Sequence, residues 1–374
     1  MSVIDPYQAM TNLTRAALDT DLNSRVLNTT DSAFAYLMQR PITQVGRNLQ
    51  VNLLVGEHEG AWVGSGTTPW SRLIRNVYAS GQIEWVRFLK SMNVDGMTYK
   101  QQTGQDLDDA LSSGGFSSGG ARTLVAIHKN ELMATRSEIP RDIEKAIHRG
   151  GVSSDGSGAK FHGFNELVAP ETDWAGFSYQ KFGQHEWHSI LLDNTRPYIN
   201  NPITKNMGGN QFSLFGDFEN LLIDLTQSTS ASGVEMSVND EYVCFLHRRI
   251  LADIMKHDTM RGVLRRTAGD NGSNKDVGGF SAGAVRWDEY NLTFVPSTWA
   301  VISRVVVANS MCVKLAQIDE DNTYVKKWRA GADSDTCSIP LWKDTQLWCD
   351  NRSQVGALLN IGKNSAGDYV NLEK

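Results

Sequence analysis

The sequence lacks any pairing of cysteines that would indicate a metal or redox site. Among 374 residues there are four cysteines, and no two have CxxC spacing or lie in a cluster with histidine. Zinc ligands and thioredoxin-like motifs are recognised by such spacing. We therefore expect buried, reduced thiols in a protein of the cytosol. The four residues are Cys244, Cys312, Cys337 and Cys349.

Secretion and membrane signals are also lacking. The first residues, MSVIDPYQAM, contain no basic region followed by an apolar run, so we expect no signal peptide. The longest apolar stretch, Trp299 to Ala308, is interrupted by Ser303 and Arg304 and is too short to span a bilayer. We expect a soluble, intracellular protein that is not bound to a membrane.

Nucleotide and nucleophile motifs are missing as well. Three glycine-rich stretches, at residues 64–68, 112–120 and 269–279, could suggest phosphate cradles. None contains GxxxxGK followed by Ser or Thr, and no GxGxxG follows a strand and opens a helix. GxSxG, the nucleophile elbow of hydrolases, is absent too. We interpret the three stretches as turns, hinges or loops and expect no cofactor.

The remaining candidates for chemistry are weak. His185, Glu186 and His188 (HEWH) could suggest a metal site, but this spacing lacks the helical i, i+4 geometry of HExxH. Surface histidines beside a buried Trp187 are the favoured interpretation. Ten tryptophans and scattered carboxylates leave a glycoside hydrolase open as an alternative. Tryptophan is equally expected at protein interfaces, and we expect a protein that is not an enzyme.

The charge balance does not indicate a dedicated nucleic-acid binder. Lys plus Arg number 36 against 42 Asp plus Glu, which gives a net charge of -6, whereas such binders are usually basic. The protein could still enclose DNA without binding it tightly.

Proline is sparse at 9 residues and glycine abundant at 33, which indicates many turns.

The first part of the chain predicts a projecting hairpin. Apolar residues of one helical face, such as Ala9 and Leu13, make parts of residues 1–40 look helical. A period of two runs from Val45 to Val55, and a second extended piece runs from Trp70 to Val77. The tip between them is rich in glycine and contains Trp62. A further strand is predicted from Gln82 to Lys90.

A long helix is predicted over residues 121–149. Its apolar face includes Leu124 and His128, and we interpret His128 as a core or interface histidine. Pro140 interrupts the pattern, so the helix is either kinked or divided in two. Ser137 is a plausible N-cap that places Pro140 in a first turn.

The second half mixes helices and strands, which indicates an α+β fold. A helix is predicted around Phe218 to Leu225, and another around Ile250 to Met255. The predicted strands are Glu241 to Leu246, Ala284 to Trp287, Ala300 to Val307, Met311 to Ala316, Thr345 to Cys349 and Val355 to Ile361.

The order of these elements resembles a known family. The stretch FHGFNELV, with Gly163, is followed by Gly176 and Trp187, and the chain ends in strands that contain LWCDNRSQVGALLNI. Together with the preceding hairpin and helix, this organisation resembles the major capsid proteins of tailed bacteriophages, which have the Hong Kong 97-type fold. The resemblance covers most of the chain.

The resemblance implies an assignment for each region. Residues 1–42 would be an N-terminal arm and residues 43–82 an extended loop built as a β-hairpin. Residues 83–162 would form a peripheral domain with the long spine helix, 163–335 an axial domain, and 336–374 the returning strands of the peripheral domain. Its candidate assembly residues are Trp62, Trp70, His128, Gly163, Gly176 and Trp187.

The resemblance also implies a function and partners. The chain would assemble with itself as hexamers and pentamers into an icosahedral shell, in the host cell cytoplasm, and enclose double-stranded DNA in the virion. A separate scaffolding protein, a portal and possible decoration proteins are the expected partners. An encapsulin-like compartment shares this fold and stays an alternative. A host-binding accessory protein is disfavoured, because such proteins are often all-β and this chain predicts a long helix.

Overall fold

A computed structural model of the chain gives the fold in two compact units, which we describe separately. The described residues are 33–54, 78–103, 135, 137–152, 158–169, 173–177, 190–193, 214–227, 241–251, 264–266, 285–287, 291–302, 304–318, 324–325, 329–330 and 336–359. Unit 1 has its described residues in Val86–Ile143 and Ile318–Thr345. Unit 2 has them in Thr30–Trp85, Glu144–Gln317 and Gln346–Lys374.

The described residues mix helices with strands, as α+β predicts. The helices are α1 (Ala33–Leu37), α2 (Gly96–Thr103), α3 (137–149), α4 (Phe164–Leu167) and α5 (Leu214–Gln227). Residues 248–251 are helical as well, and the rest of the helix predicted around Ile250 to Met255 lies outside the described residues. The first strands are β1 (Ile42–Thr43), β2 (Asn48–Leu54), β3 (Tyr78–Glu84), β4 (Val86–Asp95), β5 (Gly151–Val152), β6 (Lys160–Phe161), β7 (Ile190–Asp193) and β8 (Tyr242–His247). The later strands are β9 (Leu264–Arg266), β10 (Val285–Trp287), β11 (Leu292–Ser297), β12 (Val305–Asn309), β13 (Val313–Gln317), β14 (Tyr324–Val325), β15 (Arg329–Ala330), β16 (Thr336–Cys349) and β17 (Val355–Leu359).

Unit 1 contains a long antiparallel ladder. β4 pairs with β16 over ten positions, from Val86 opposite Thr345 to Asp95 opposite Thr336. β14 and β15 pair with β16 in the same antiparallel sense. Across the ladder, the Arg87 guanidinium donates from Nε and Nη2 to both oxygens of Asp344, at 2.7 and 2.8 Å. This fork geometry fixes the register of the two strands as well as adding energy.

The first half of α3 lies beside this ladder. Lys90 on β4 is 2.9 Å from Asp142 and 3.6 Å from Glu138, one helical turn earlier. Ile139 and Ile143 of the same helix are buried. The 3.6-residue period of α3 and the two-residue period of β4 therefore place apolar residues inwards and this ion pair at the surface.

Unit 2 is built on a seven-stranded mixed sheet in the order β7-β17-β12-β8-β11-β10-β9. β8 is central and is buried from Tyr242 to Leu246, as expected for a strand covered on both faces. It runs parallel to β11 and antiparallel to β12. The outer pairings are β17 with β7 in parallel and β10 with β9 in antiparallel.

Both faces of β8 are covered by apolar residues. On one face, α5 packs against β17 and β7 and contributes buried residues to a core shared with Tyr242, Cys244 and Leu246. On the other face, Phe245 lies 4.8 Å from the ring of Phe164 and 6.1 Å from that of Tyr36. Each large apolar side chain buried in this way contributes about 1.5–3 kcal/mol. The buried residues of α5 are Phe218, Leu221, Leu222 and Leu225.

Several sequence predictions are confirmed with shifted bounds. The helix around Phe218 is α5, and the strand predicted from Glu241 to Leu246 is β8, one residue later. The strand predicted from Ala300 begins only at Val305, because residues 298–300 bend and the amide of Arg304 donates to the carbonyl of Val301. The strand predicted at Thr345 to Cys349 is the end of a much longer β16.

Two predictions are wrong: a continuous strand through Trp85 and a helix start at Ser137. The strand predicted from Gln82 to Lys90 is two strands that break at Trp85, because β3 pairs with β2 and β4 with β16. Ser137 is not the N-cap before a helix, since residue 135 and residues 137–149 are all helical and Pro140 lies among them. The helical pattern around Ala9, and residues 121–134 of the predicted long helix, lie outside the described residues.

Candidate functional site

Only two of the predicted assembly residues lie in the described part of the chain. Trp62, Trp70, His128 and Trp187 fall outside it, as do His185, Glu186 and His188. Gly163 and Gly176 are described, and the surroundings of each explain why a glycine is present at that position. The described part of the predicted hairpin is the pair of strands β2 and β3, which we call the hairpin root.

The hairpin prediction is confirmed in its first strand, β2, which lies within the predicted stretch Val45 to Val55. The second predicted piece, Trp70 to Val77, lies outside the described residues, and the partner of β2 is β3, which begins at Tyr78. β2 and β3 pair antiparallel from Asn48 opposite Glu84 to Leu54 opposite Tyr78. Leu49, Val51 and Ile83 are buried, because a period of two places alternate side chains on one face. Val45, which continues the apolar alternation in the sequence, is 90% exposed and precedes the strand. The predicted tip lies outside the described residues.

The outer edge of β2 is closed by side chains at Gln50. The Gln44 amide accepts from the Gln50 N–H at 3.0 Å and donates to the Gln50 carbonyl at 3.3 Å. The indole Nε1 of Trp348 donates to the same carbonyl at 3.3 Å. Gln44 therefore occupies the place that a peptide group of a further strand would take, which is one way an exposed strand edge is protected.

The outer edge of β3 is closed by a tight turn at residues 174–177. The Gln82 N–H donates to the Ala175 carbonyl at 3.0 Å. The approach is so close that a Cβ at Gly81 would lie 2.1 Å from that oxygen. Ala175 and Gly176 have φ angles of 55° and 79°, the pair of positive values that a type I′ turn requires. Gly176 therefore serves the turn that closes the hairpin root.

Gln346 and Trp85 attach the root to the rest of unit 2. The fully buried Gln346 donates from Nε2 to the carbonyls of Glu84 and Lys160, each at 3.0 Å. Its Oε1 accepts from the N–H of His162 at 3.0 Å. Trp85 donates from its indole to the Gly46 carbonyl at 3.1 Å. The root is thus held by hydrogen bonds between side chains and backbone groups. These bonds give partners to polar groups that would cost stability if they were buried without one.

Gly163 marks a close approach between backbones. It precedes α4 with an extended conformation, φ -97° and ψ -176°. A Cβ there would lie 2.4 Å from both the Ala146 carbonyl oxygen and the Gly150 amide nitrogen at the end of α3. The glycine is needed because no side-chain atom fits in this gap. Packing within the subunit therefore explains why a glycine is present at this position, which the resemblance makes an assembly candidate.

Two arginines donate hydrogen bonds to α4 and the residues next to it. Arg352, 1% exposed, donates to the carbonyls of Glu166 and Leu167 at the end of α4 and of Ala169 just beyond it. Burial lowers the pKa of Arg352 to about 10. Arg304 donates to the carbonyl of His148 and to the side chain of Asn165, and burial lowers its pKa to about 10 as well. Arginine remains charged with such a pKa, so both act as fixed donors.

A polar cleft of about 490 Å³ lies beside the hairpin root. Its lining contains amides and one guanidinium but no carboxylate, imidazole or thiol, so it offers no pair of groups for general acid–base chemistry. Among the described residues, no group of three potential metal-ligating side chains is found, and no helix is long and apolar enough to cross a membrane. The lining residues are Gln44, Val45, Gly46, Arg47, Asn48, Gln50 and Gln82.

Sequence reasoning missed the residues that hold the root. Trp85, Gln346 and Trp348 bond to partners 39, 262 and 298 positions away in the chain, so no local spacing indicates these contacts. Gln44 bonds to Gln50, six positions later. The one signal available is Gln346 itself, a polar residue inside the predicted strand Thr345 to Cys349. A polar side chain in a buried strand needs partners, which marks such a position as a node of hydrogen bonds.

Comparison with known proteins identifies the fold. No protein-family model matches the chain, and no curated protein matches it. Among solved structures, a chain of the cyanophage A-1(L) capsid asymmetric unit matches with a TM-score of 0.55 at 12% identity, over 89% of this chain and 93% of that one. Lower TM-scores relate it to the holo-SrpI encapsulin complex of Synechococcus elongatus PCC 7942 (0.48, 12% identity, 87% of each chain) and to the capsid of a native GTA particle (0.47, 10% identity, 87% and 90%). The cyanophage match and the element order carry the assignment: the chain has the fold of the major capsid proteins of tailed phages, which the sequence resemblance predicts.

Proposed function

We propose that this protein is the shell-forming subunit of a tailed double-stranded DNA bacteriophage. The observation that carries the proposal is the capsid fold, which matches the cyanophage capsid chain over 93% of that chain's length. The match covers nearly all of both chains, so the shared fold is that of a whole shell subunit. Because fold alone does not determine function, the proposal depends on an assembly experiment.

The hairpin supports a role in assembly. A two-stranded hairpin is marginally stable in water unless another surface covers it. Here the root is closed on both edges within the subunit, while the sequence continues for 23 residues between Leu54 and Tyr78. We propose that this tip lies across a neighbouring subunit, with Trp62 and Trp70 as anchors. Modest contacts of this kind, repeated over a closed symmetric assembly, sum to a stable shell.

The proposal extends to partners and location. Subunits would form hexamers and pentamers with Trp187 and His128 near their contacts, and would enclose DNA without reading its sequence, which suits the net charge of -6. A separate scaffolding protein, a portal and possible decoration proteins would take part in assembly in the host cytoplasm. The proposed role is structural and needs neither cofactor nor catalytic residue.

The test is electron microscopy with sedimentation on the protein expressed alone and with its neighbouring reading frames. Rings, tubes or closed shells support the proposal. Trp62→Ala serves as the assembly variant: we expect nearly unchanged subunit stability and a clear loss of shells. Equal loss of thermal stability in the isolated subunit would show that Trp62 belongs to a core. A persistent monomer, even with the scaffold candidate, would overturn the proposal.

Two further outcomes separate the alternatives. Shells loaded with a cellular enzyme whose gene lies beside this one would indicate an encapsulin-like compartment, whereas neighbouring portal and terminase genes indicate a phage. Turnover on a glycan panel that is abolished by one carboxylate substitution would indicate a glycoside hydrolase. Shells loaded with such an enzyme, or turnover of this kind, would replace the phage proposal.

A further inference from the structure

Glu144 of α3 is a buried carboxylate with an unusual set of partners. Its side chain is 3% exposed. It accepts from the N–H of Ala33 at 3.0 Å and from that of Phe34 at 2.7 Å, one to each carboxylate oxygen. These are the first two amides of α1, which have no partner inside the helix. A residue 110 positions away in the chain therefore satisfies the start of α1.

Two further polar groups contact this carboxylate. The Ser297 hydroxyl, at the end of β11, donates to Oε1 at 2.6 Å, and His148 Nε2 lies 3.2 Å from the same oxygen. Removing a carboxylate from water is costly unless its oxygens are paired with donors, and two backbone amides and a hydroxyl provide that pairing here. Within unit 2, the carboxylate thus ties α1 and β11 to the second half of α3.

The rest of α1 is held less directly. Ala33 and Leu37 are buried, and α1 packs against β11 and β13. With only five residues, α1 is too short to be stable without tertiary contacts. The Tyr36 hydroxyl lies 3.5 Å from Glu241, a contact that engages a side chain and not the amides of Ala33 and Phe34. Glu144 holds the amide end of α1 directly.

We propose that Glu144 is the positioning residue that fixes the first turn of α1 on the core of unit 2. The consequence for assembly rests on the proposed function: α1 falls within the N-terminal arm of residues 1–42, so Glu144 would hold the inner end of that arm on its own subunit. The carboxylate is specifically required, because two backbone amides donate to its two separate oxygens. A glutamine presents one oxygen and one N–H₂ group, so it cannot accept from the Ala33 and Phe34 amides on separate oxygens.

The test is amide hydrogen exchange on the unassembled full chain with Glu144→Gln. Glu241→Gln is the matched control, since it makes the same chemical change beside the same helix without touching its amides. We expect exchange at Ala33 and Phe34 to rise by about tenfold or more in Glu144→Gln, while exchange in β8 stays at the wild-type rate. Glu241→Gln should leave the two α1 amides unchanged.

Other outcomes would contradict the proposed role of Glu144 as the anchor of α1. Unchanged exchange at Ala33 and Phe34 in Glu144→Gln, or equal increases in α1 and β8, would show that Glu144 is not a local anchor. If Glu144→Gln does not fold, Glu144→Asp keeps the charge, shortens the reach by one methylene, and is interpreted by the same criteria.

A second measurement tests the consequence for assembly and rests on the proposed function. Shell yield by electron microscopy should fall several-fold in Glu144→Gln and remain at the wild-type level in Glu241→Gln. Wild-type yield in both variants, with faster exchange in Glu144→Gln, would overturn the assembly half of the inference. Absence of shells from the wild type would count against the proposed function, whereas the exchange experiment would still test the anchor.

Discussion

Gly163→Ala should destabilise the subunit itself, although the resemblance makes this glycine a candidate for assembly. The added Cβ would lie 2.4 Å from the Ala146 oxygen, 2.4 Å from the Gly150 nitrogen and 2.8 Å from the Gly150 Cα. All three are backbone atoms at the end of α3, so none can rotate away as the end of a side chain could. The φ angle of -97° is ordinary for alanine, so the effect is purely steric.

The size of the effect follows from the displacement that the clash requires. Over-packing of this kind costs about 1–3 kcal/mol. The displaced backbone also contains the hydrogen bond from the Gly150 N–H to the Ala146 carbonyl, 2.7 Å long, and losing it costs about 1 kcal/mol. The expected loss is therefore about 2–4 kcal/mol. With a urea m-value of about 3 kcal/mol/M, the unfolding midpoint falls by about 1 M.

Urea unfolding of the unassembled subunit is the assay, with Gly151→Ala as the control. A Cβ at Gly151 has no heavy atom within 4 Å and no positive φ to strain, so this variant should stay within about 0.5 kcal/mol of the wild type. A Gly163→Ala midpoint no lower than that of Gly151→Ala would refute the steric argument. In that case, loss of shells without loss of stability would return Gly163 to the assembly surface.

Three further substitutions test single positions of unit 2. Gly176→Ala should cost about 1–2 kcal/mol in urea unfolding, because the site has open space but a φ of 79°; no loss would show that the turn adapts. Arg352→Met should cost about 2–4 kcal/mol, since it leaves the buried Leu167 carbonyl without this donor; a smaller loss would mean that water replaces it. Asp350→Asn should raise the midpoint at pH 7, because burial raises the pKa of Asp350 and its native form therefore holds a proton more tightly than the unfolded form. Wild-type stability then increases as the pH falls through that raised pKa, so the advantage of Asp350→Asn should shrink toward about pH 4, and a constant advantage would contradict it.

Periodic patterns predicted the elements that bury one apolar face. α5 was predicted because Phe218, Leu221, Leu222 and Leu225 recur at helical spacing, and all four are buried. β2 was predicted because Leu49 and Val51 alternate with polar residues, and both are buried in that strand. In each case the signal lies within a few residues of the element that it predicts.

Features that depend on distant partners were not predictable in this way. The break at Trp85 arises because one stretch of sequence pairs with β2 and the next with β16, which begins some 250 residues later. The role of Glu144 depends on Ala33 and Ser297, and nothing near Glu144 in the sequence indicates either contact. The Ser137 prediction failed for a related reason, because capping residues also occur inside helices when tertiary packing stabilises them.

The closed edges of the hairpin root constrain how neighbouring subunits can meet in the proposed shell. A strand from a second copy could extend the sheet at Gln50 only by displacing the Gln44 amide and the Trp348 indole. At Gln82 it would have to displace the Ala175 carbonyl, whose turn is packed against Gly81. Each displacement exchanges one hydrogen bond for another and gains little. Contacts of the hairpin with a neighbour should therefore use side chains of the tip, or strand pairing beyond the root. In such a shell a rigid root with closed edges would set the direction of the hairpin, while the tip would provide the contact.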